Sequence, residues 1–455
     1  MKKNIFLIIL SILLISSTVF WWKSFGDFEI NNDAAQYHEA AVSLLADHSY
    51  SLDGELSMMR EPGYSYFIFL VYKIFGVNPV AVRLTQVFLY FLVVLITFYL
   101  AGKFFNNFTA RLSSLTMAIY PIFNIYTSRL LSEILACFLL MLFLLMFYQA
   151  DIKRKYYLYA ISGLILGCFV LTKSAFILVA PIIFLFIVFY PAEKRFFENF
   201  KMAAVFILFF SLIVAPWMGR NYVNFGQISL TSRAGNMIYT RALKNTYDKD
   251  TVKKYVISSL SGEYIVRRFV APNYVFEHDY IRKTLLREFI NKRVDAPETM
   301  NYDQIDTEMK NEGFKLIKSQ PFKYLAFGLI EISNLNSPMI YYERHISIFH
   351  DNIYSHTTLK ILIIILFRLS WYLFVFMVAY AIYKIFREKK FLVFVPVLFI
   401  LEINFVLFFI QGNPRFLMPI FPIYIVLAAY SLNLFLNNNK LNRIYEKIVH
   451  NNSRV

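Results

Sequence analysis

The residues of this sequence that are best suited to chemistry are two acids and a group of cations, all beside apolar segments. Asp33 follows the first apolar segment, and Glu133 opens a later one. A carboxylate fixed at such a place can accept the proton of a hydroxyl group. The cations stand at or near the ends of apolar segments, where they would bind an anion such as phosphate. They are Arg60, Arg129, Lys173, Arg220 and Arg415.

Each of these residues also has a purely structural explanation. Asp33, or the preceding Asn32, would serve as the N-cap of a helix. Glu133 would be a favourable charge at the start of its helix. A single cation at the end of an apolar segment is usually a side chain that reaches toward water. Four such cations at four turns, with Arg60 nearby, favour a shared anion site, because ionisable groups near membrane depth are functional by default.

The composition places the chain in a membrane. Hydrophobic residues make up 58% and aromatic residues 19% of its 455 residues, and the mean hydropathy is +0.51. A soluble domain does not need so much apolar surface, so a bilayer must be the solvent. The net charge of +16 does not indicate nucleic acid, because the basic residues punctuate apolar segments. Cys137 and Cys168 lie inside apolar runs and indicate neither a disulfide framework nor a zinc site.

About ten apolar segments are long enough to cross a bilayer. They cover 4–22, 82–104, 110–127, 131–150, 157–172, 174–190, 202–218, 359–385, 391–410 and 416–436. The first one ends in two tryptophans without a small-residue cleavage site, so we expect an uncleaved helix. The run 323–335 would break the charge pattern if it crossed, so we expect a non-spanning helix there.

The basic residues predict the orientation. With the N-terminus in the cytoplasm, most basic clusters between segments fall on the cytoplasmic side, and the two long polar stretches face outward. The predicted parts are a first transmembrane helix (1–22), an outer catalytic loop with interfacial helices (23–81), a transmembrane bundle (82–218), an outer substrate or lid region (219–358), C-terminal transmembrane helices (359–436) and a basic cytoplasmic tail (437–455). We expect a multi-pass protein of the cell (inner) membrane with both termini cytoplasmic and the site outside.

The polar stretches contain further helices. The pattern predicts one over 34–47, with an apolar face that we expect on the membrane surface. Its apolar residues are Tyr37, Ala41, Leu44 and Leu45. Arg60-Glu61-Pro62-Gly63-Tyr64 predicts a tight turn that starts a helix over 64–75. The second stretch has helical patterns at 279–291 and Tyr302–Ser319, typical of a small lid.

The class of substrate is indicated by the acids and cations that the sequence contains and by the nucleotide-binding motifs that it lacks. The sequence has neither GxGxxG nor a Walker loop, and nucleotide sugars are not expected outside the cytoplasm. An exposed carboxylate, a second acid and several cations at the outer leaflet suit a lipid phosphate, whose tail lies in the bilayer while Arg and Lys hold its phosphate. A sugar transferase that faces outward would therefore need a lipid-carried donor.

Taken in order, these residues resemble the integral-membrane GT-C glycosyltransferases. The branch is that of protein O-mannosyltransferases, lipid A aminoarabinose transferases and lipopolysaccharide galacturonosyltransferases. The matching elements run from the first helix to the last, and the ordered set is more specific than any one motif. They are Asp33-Ala34-Ala35-Gln36-Tyr37, Arg60-Glu61-Pro62-Gly63-Tyr64, Tyr120-Pro121 followed by Leu131-Ser132-Glu133, Leu171-Thr172-Lys173, Ala215-Pro216-Trp217 with Arg220-Asn221-Tyr222, and Pro414-Arg415-Phe416 with Pro419 and Pro422.

The resemblance implies a fold and a reaction. The fold is an all-α polytopic GT-C-like bundle of about ten transmembrane helices, with an outer catalytic loop that contains amphipathic juxtamembrane helices. The donor is a sugar on polyprenyl phosphate or diphosphate. The acceptor is a hydroxyl of lipid A, of a cell-envelope glycan or of a protein, and the transfer inverts the anomeric configuration. Because phosphate is already a good leaving group, one carboxylate suffices, unlike the pair in glycoside hydrolases.

The resemblance also implies roles by position. Asp33 matches the catalytic carboxylate of the first loop, and Glu133 matches the second acid. Lys173, Arg220 and Arg415 fall where the family places phosphate- or substrate-binding cations. The predicted binding residues also include Tyr37, Arg60, Glu61 and Tyr64. Relatives often carry an acidic pair at the first motif, whereas here the neighbours of Asp33 are Asn and Ala.

Other functions remain open at this point. A transporter or flippase of lipid-linked sugars predicts ionisable residues at mid-membrane and paired halves with discontinuous helices. Glu402 is the main such residue, and a buried polar group bonded between helices explains it as well. An outer-face glycan polymerase or ligase would share the chemistry but show other ordered motifs. No cofactor is indicated; a divalent metal would be compatible with the chemistry, although no ligand cluster supports one.

Overall fold

The computed structural model describes residues 3–26, 28–189, 195–273, 302–337, 357–410 and 414–438. Within these ranges the chain is almost entirely helical, and its strands form one antiparallel pair. The elements are α1 (Lys3–Phe25), α2 (Asn32–Asp47), β1 (Ser51–Leu52), β2 (Glu55–Leu56), α3 (Pro62–Phe75), α4 (Pro79–Phe104), α5 (Asn107–Ile119), α6 (Pro121–Tyr126), α7 (Glu133–Lys153), α8 (Tyr156–Thr172), α9 (Val179–Val188), α10 (Phe196–Phe225), α11 (Ala234–Ala242), α12 (Lys249–Ser261), α13 (Glu263–Phe269), α14 (Tyr302–Ser319), α15 (Pro321–Leu335), α16 (Thr357–Arg387), α17 (Phe394–Phe409) and α18 (Phe421–Asn438).

Six of the described helical segments are long and apolar enough to cross a membrane. They are Asn4–Phe25, Pro79–Phe104, Glu133–Lys153, Phe196–Phe225, Ile361–Arg387 and Pro414–Asn437. Three shorter apolar helical segments take further predicted positions, at Tyr156–Thr172, Ser174–Val188 and Phe394–Phe409. The predicted polytopic all-α membrane architecture is confirmed.

The segment predicted to span at 110–127 is not one helix. It is divided between α5 and α6 by Tyr120, whose backbone is extended, with φ −67° and ψ 120°. Pro121 causes this break, because it lacks an N–H group and disfavours the helical conformation in the residue before it. Beyond the break, the buried Asn124 accepts a hydrogen bond from Thr18 Oγ1 at 2.7 Å. This bond holds α6 against α1.

The first polar stretch packs into the bundle. The predicted apolar face of α2 is buried at Tyr37, Ala41 and Leu44, and α2 lies against α3 and β1. The prediction that this face rests on the membrane surface is therefore wrong, because protein covers it. The helix itself and the start of α3 at Pro62 agree with the sequence pattern.

The second polar stretch forms a group of helices, α11 to α15. α14 has the predicted bounds, whereas the pattern at 279–291 and the tail beyond 438 lie outside the described residues. α15 is not among the helices long and apolar enough to cross. Its Tyr324 Oη donates to the carbonyl of Phe409, so α15 lies against the end of α17.

A buried ionic cluster fixes α11 against α15. Glu331 binds Lys244 Nζ and accepts a hydrogen bond from Tyr255 Oη at 2.9 Å. Arg241 lies 3.8 Å from the same carboxylate and donates to the carbonyl of Tyr324 at 2.7 Å. All four of the side chains that meet here are buried. One carboxylate therefore stabilises two cations away from water.

Glu402 is also buried, in α17. Its carboxylate lies near the backbone of Leu178 and Val179, where α9 begins. Neither carboxylate oxygen has a hydrogen-bond partner at normal distance among the described residues. The group meets the neighbouring helix at its start, where a negative charge or dipole is favoured.

Candidate functional site

Arg415 joins the two acids that the sequence singled out. It lies near the start of the 3₁₀ turn Pro414–Ile420, which leads into α18. Its Nε donates to Glu133 Oε1 at 2.6 Å, and its Nη1 donates to Asp33 Oδ2 at 2.9 Å. A guanidinium group can bind two carboxylates at once because its donors form a planar fork. Three distant parts of the chain therefore meet at one point.

Glu133 collects a second cation. It is buried in the first turn of α7, where the helix dipole favours a negative charge. Lys173 follows the last residue of α8 and places its Nζ 3.1 Å from Glu133 Oε1. The other oxygen, Oε2, has no hydrogen-bond partner in the part of the chain that the structure describes. This carboxylate can therefore accept one more hydrogen bond.

Asp33 lies in the first turn of α2 but does not cap it. The N-cap is Asn31, and no side chain there makes a capping hydrogen bond, so the N-cap explanation is wrong. The carboxylate instead binds Arg60 and Arg415. Burial alone would raise the pKa of Asp33, but the charges of Arg60 and Arg415 outweigh it and hold that pKa well below its usual value. Asp33 is therefore ionised at neutral pH.

The two acids differ in access. The side chain of Asp33 is 29% exposed, whereas that of Glu133 is 0% exposed. A bound molecule can reach Asp33 directly, while Glu133 touches only its protein neighbours. Of the two, Asp33 is placed to exchange a proton, and Glu133 is placed to hold Arg415 and Lys173.

Arg60 is held in position by contacts with Gln36 and Tyr37 in addition to its ion pair with Asp33. Its Nε donates to Gln36 Oε1 at 2.6 Å, and its guanidinium lies 5.5 Å from the ring centroid of Tyr37. The rings of Tyr37 and Tyr64 meet edge to face at 5.0 Å, and both are buried. These rings thus position Arg60, and neither offers an open face on which a sugar can stack.

Glu61 links the start of α3 to the turn that carries Lys173. Its Oε1 accepts a hydrogen bond from Ser174 Oγ at 2.7 Å. Gly63 permits this close approach, because a Cβ there would lie 2.5 Å from Thr172 Oγ1. Glu61 is therefore part of the framework behind Lys173.

Arg220 is not brought to the acids. It lies near the end of α10, where its Nη1 donates to the carbonyl of Ser57 at 2.8 Å and its Nη2 to that of Tyr50 at 3.1 Å. These carbonyls flank the β1–β2 hairpin, so Arg220 clamps the base of the hairpin that leads to Arg60. Arg129 lies over the ring of Tyr126, 5.6 Å from its centroid.

One further arginine that the sequence did not single out, Arg233, has a charge that acts on Asp33. It precedes α11, and its charge contributes to the low pKa of Asp33, after those of Arg60 and Arg415. The N–H of the preceding Ser232 donates to the carbonyl of Met58 at 3.0 Å. No motif marks Arg233 among the many basic residues of the second polar stretch, so the sequence alone could not show that its charge acts on Asp33.

Groups of metal ligands are not found in the described part of the chain, where no three His, Cys, Asp or Glu side chains could hold an ion. Asp33 and Glu133 each pair with Arg or Lys instead.

Part of the chain matches a family model. Residues 60–219 match the family described as dolichyl-phosphate-mannose-protein mannosyltransferase. The match covers about a third of the chain and includes Arg60, Glu133 and Lys173, while Asp33 and Arg415 lie outside it. No curated protein sequence matches the chain.

Solved structures share the fold. The archaeal oligosaccharyltransferase AglB from Archaeoglobus fulgidus, in complex with an inhibitory peptide and a dolichol-phosphate, has a TM-score of 0.52 at 14% identity, over 98% of this chain and 52% of that chain. An Archaeoglobus fulgidus oligosaccharyltransferase in complex with Zn and sulfate has a TM-score of 0.52 at 15% identity, over 98% of this chain and 51% of that chain. ArnT from Cupriavidus metallidurans bound to undecaprenyl phosphate has a TM-score of 0.43 at 10% identity, over 92% and 77%. The chain spans about half the length of AglB, and the predicted GT-C fold is confirmed.

Proposed function

We propose that the protein is a glycosyltransferase that moves a hexosyl or pentosyl group from a polyprenyl-phosphate-type lipid to an acceptor hydroxyl. The observation that carries the proposal is the meeting of Asp33, Glu133 and three cations at one end of a membrane-spanning GT-C fold. The family match and the dolichol-phosphate named with AglB support a lipid-linked donor. The comparisons lend no support to the alternative, a transporter or flippase.

The reaction needs one base and a place for the leaving phosphate. The acceptor hydroxyl attacks the anomeric carbon and gives its proton to the Asp33 carboxylate. The new C–O bond forms as the bond from the anomeric carbon to the phosphate oxygen breaks, and the electron pair stays on the phosphate. Attack from the opposite face inverts the anomeric centre. One negative charge thus moves from Asp33 to the lipid phosphate.

Arg60 and Arg415, which bind Asp33 in the free protein, are also the cations that a donor phosphate would bind. A carboxylate paired with two guanidinium groups is a weak base, because both favour its ionised form. When a phosphate takes part of the charge of Arg60 and Arg415, Asp33 becomes more basic. Binding of the donor would thereby prepare the base, while Glu133 keeps Arg415 and Lys173 in place.

We also propose the orientation. α7 has Glu133 at one end and Lys153 and Arg154 at the other, and basic residues favour the cytoplasmic side. The site then lies on the extracytoplasmic face of the cell (inner) membrane, with the N-terminus inside. The acceptor is lipid A, an envelope glycan or a protein. In this proposal the helices α11 to α15 select the acceptor, because Ser232 N, just before α11, donates to the carbonyl of Met58 beside the site.

The central test compares Asp33→Asn with Asp47→Asn, an exposed acid at the end of the same helix. Purified protein is incubated with a panel of polyprenyl-phosphate hexoses and pentoses and with envelope acceptors, and both the transferred sugar and the released polyprenyl phosphate are measured. Loss of the base should lower kcat by about 100- to 10,000-fold. The Asp47 variant should remain fully active.

The expected result includes unchanged folding, measured by thermal unfolding in detergent. A folded Asp33→Asn protein with full transfer would refute Asp33 as the base. Movement of intact donor across vesicles by the wild type, without release of polyprenyl phosphate, would refute the transferase and favour a transporter.

A further inference from the structure

Gln86 lies on α4 and is completely buried, yet it makes hydrogen bonds to two different parts of the chain that lead to the site. Its Nε2 donates to the carbonyl of Thr127 at 3.1 Å and to that of Arg129 at 2.8 Å. Its Oε1 accepts a hydrogen bond from Tyr64 Oη at 2.9 Å. Because a carbonyl can only accept, the amide fits these partners in one orientation. One side chain therefore ties the turn before α7 to the start of α3.

The turn that Gln86 holds leads directly to Glu133. The carbonyl between its two partners, that of Ser128, accepts a hydrogen bond from Arg83 Nε at 2.8 Å. Arg83 lies one turn before Gln86 on α4. The three successive carbonyls of residues 127–129 are thus all bound by side chains of α4. These bonds fix where α7 begins, and Glu133 is the first residue of that helix.

The other partner of Gln86 leads to Asp33. The ring of Tyr64 meets that of Tyr37 with 5.0 Å between the centroids, and the guanidinium of Arg60 lies 5.5 Å from the centroid of Tyr37. Arg60 in turn binds Asp33. Tyr37 also follows Asp33 by four residues on α2, so the two side chains share one face of that helix. A change at Gln86 can therefore reach Arg60 and Asp33 through packed, buried rings.

Arg415 joins these two branches at their other ends. Its Nε donates to Glu133, and its Nη1 donates to Asp33. The contacts therefore form a closed ring, with Gln86 and Arg415 on opposite sides and one acid on each branch between them. Arg415 is partly exposed, whereas Gln86 is enclosed by protein. In a closed ring neither acid can shift without moving the other, because each is held from both directions.

We propose that Gln86 is a positioning residue for transfer, which sets the spacing between Asp33 and Glu133 by closing this ring. The inference rests on the proposed function. Asp33 must lie within hydrogen-bond reach of the acceptor hydroxyl while the anomeric carbon stays in line with it. Loss of the bonds of Gln86 opens the ring, so Asp33 can shift relative to Arg415, and a displacement of about 1 Å can lower the rate about 100-fold. Because Gln86 is enclosed by protein, substrate binding changes less than the chemical step.

The first test is Gln86→Met, which keeps an unbranched side chain of similar length but removes all three hydrogen bonds. It should lower kcat by about 10- to 100-fold, with a smaller change in KM. Tyr64→Phe removes only the bond to Gln86 and keeps the ring against Tyr37, so its loss should be smaller. The matched control is Thr97→Val, which removes a hydrogen bond from an equally buried side chain of α4 to the carbonyl of Val93, about three turns away. The control should keep the kcat of the wild type, and an unchanged kcat in folded Gln86→Met would overturn the proposal.

A double-mutant cycle with Arg415→Lys distinguishes positioning from a general loss of stability. Both changes open the same ring, so the second should cost less than it does alone. The double variant with Gln86→Met should keep a kcat/KM at least about threefold above the value expected from the product of the two single losses. Thr97→Val combined with Arg415→Lys should show simple additivity. Additive losses for Gln86→Met and Arg415→Lys would mean that Gln86 is not part of the ring, and the proposal would be wrong.

Thermal unfolding of the full-length protein in detergent checks that each variant is folded. If Gln86→Met does not fold, Tyr64→Phe takes its place in the cycle with Arg415→Lys, and additive losses there would equally refute the ring. The proposed function fails by a different result, namely a wild type that releases no polyprenyl phosphate from any donor of the panel. A wild type that transfers sugar while the cycle is additive refutes only the role of Gln86.

Discussion

Replacing Arg415 with lysine keeps the positive charge but removes the fork that joins the two acids. In the wild type, Nε binds Glu133 at 2.6 Å and Nη1 binds Asp33 at 2.9 Å. A lysine ammonium is a single point charge, so it can reach one of these carboxylates but cannot hold both in this geometry. The variant should therefore lose one arm of the bridge.

The size of the effect follows from that one bond. A hydrogen bond to a charged group contributes about 1.5–3 kcal/mol. If the bridge is intact in the transition state, its loss corresponds to about a 10- to 150-fold lower kcat/KM. Arg415→Gln removes both arms and the charge, so its loss should be larger than that of the lysine variant.

The assay measures initial rates of sugar transfer from the polyprenyl-phosphate donor that the panel identifies. Arg387→Lys is the matched control, because Arg387 is exposed in the last turn of α16, among the basic residues of the opposite end. Thermal unfolding checks that each variant is folded. If Arg415→Lys transfers sugar as fast as the control, Arg415 does not act as a two-armed bridge and the arrangement of the acids has another basis.

Two further predictions concern charge. Arg60→Gln removes the strongest charge that lowers the pKa of Asp33, so that pKa should rise toward its usual value of 3.8. The decline of kcat/KM at low pH, which reports protonation of the base, should then begin at a higher pH than in the wild type. Identical pH profiles for the variant and the wild type would contradict the ion pair between Arg60 and Asp33. Glu331→Gln leaves two buried cations without a carboxylate and should lower the free energy of unfolding by about 3–5 kcal/mol. The exposed pair variant Glu198→Gln should change it by less than about 1 kcal/mol, and equal unfolding temperatures for the two would show that the buried cluster is not a structural anchor.

Local sequence patterns were sufficient to predict most of the helices. An apolar segment long enough to span a bilayer predicts a helix, because a helix satisfies the backbone hydrogen bonds of the segment where water is absent. Pro62 correctly marked the start of α3. The helix break at Pro121 was missed, because hydropathy over 110–127 registers apolar side chains and not the loss of one backbone donor.

The surroundings of α2 depended on the rest of the chain. An apolar helix face has the same period whether it meets lipid or protein, so the pattern could not show that α3 and β1 cover Tyr37 and Leu44. Nor could it show that Asp33 would bind two arginines instead of capping its helix. Both outcomes depend on contacts between residues far apart in sequence.

By itself, the sequence determined that this is a polytopic helical membrane protein with acids and cations at the ends of its apolar segments. Only the tertiary structure decided which of them meet. Arg415 joins Asp33 to Glu133, whereas Arg220, which was expected to bind at the site, clamps a hairpin. The physical reason is that helix formation and hydrophobic patterning depend on residues close together in sequence. An ion pair depends on where the fold places two charged residues that lie far apart in sequence.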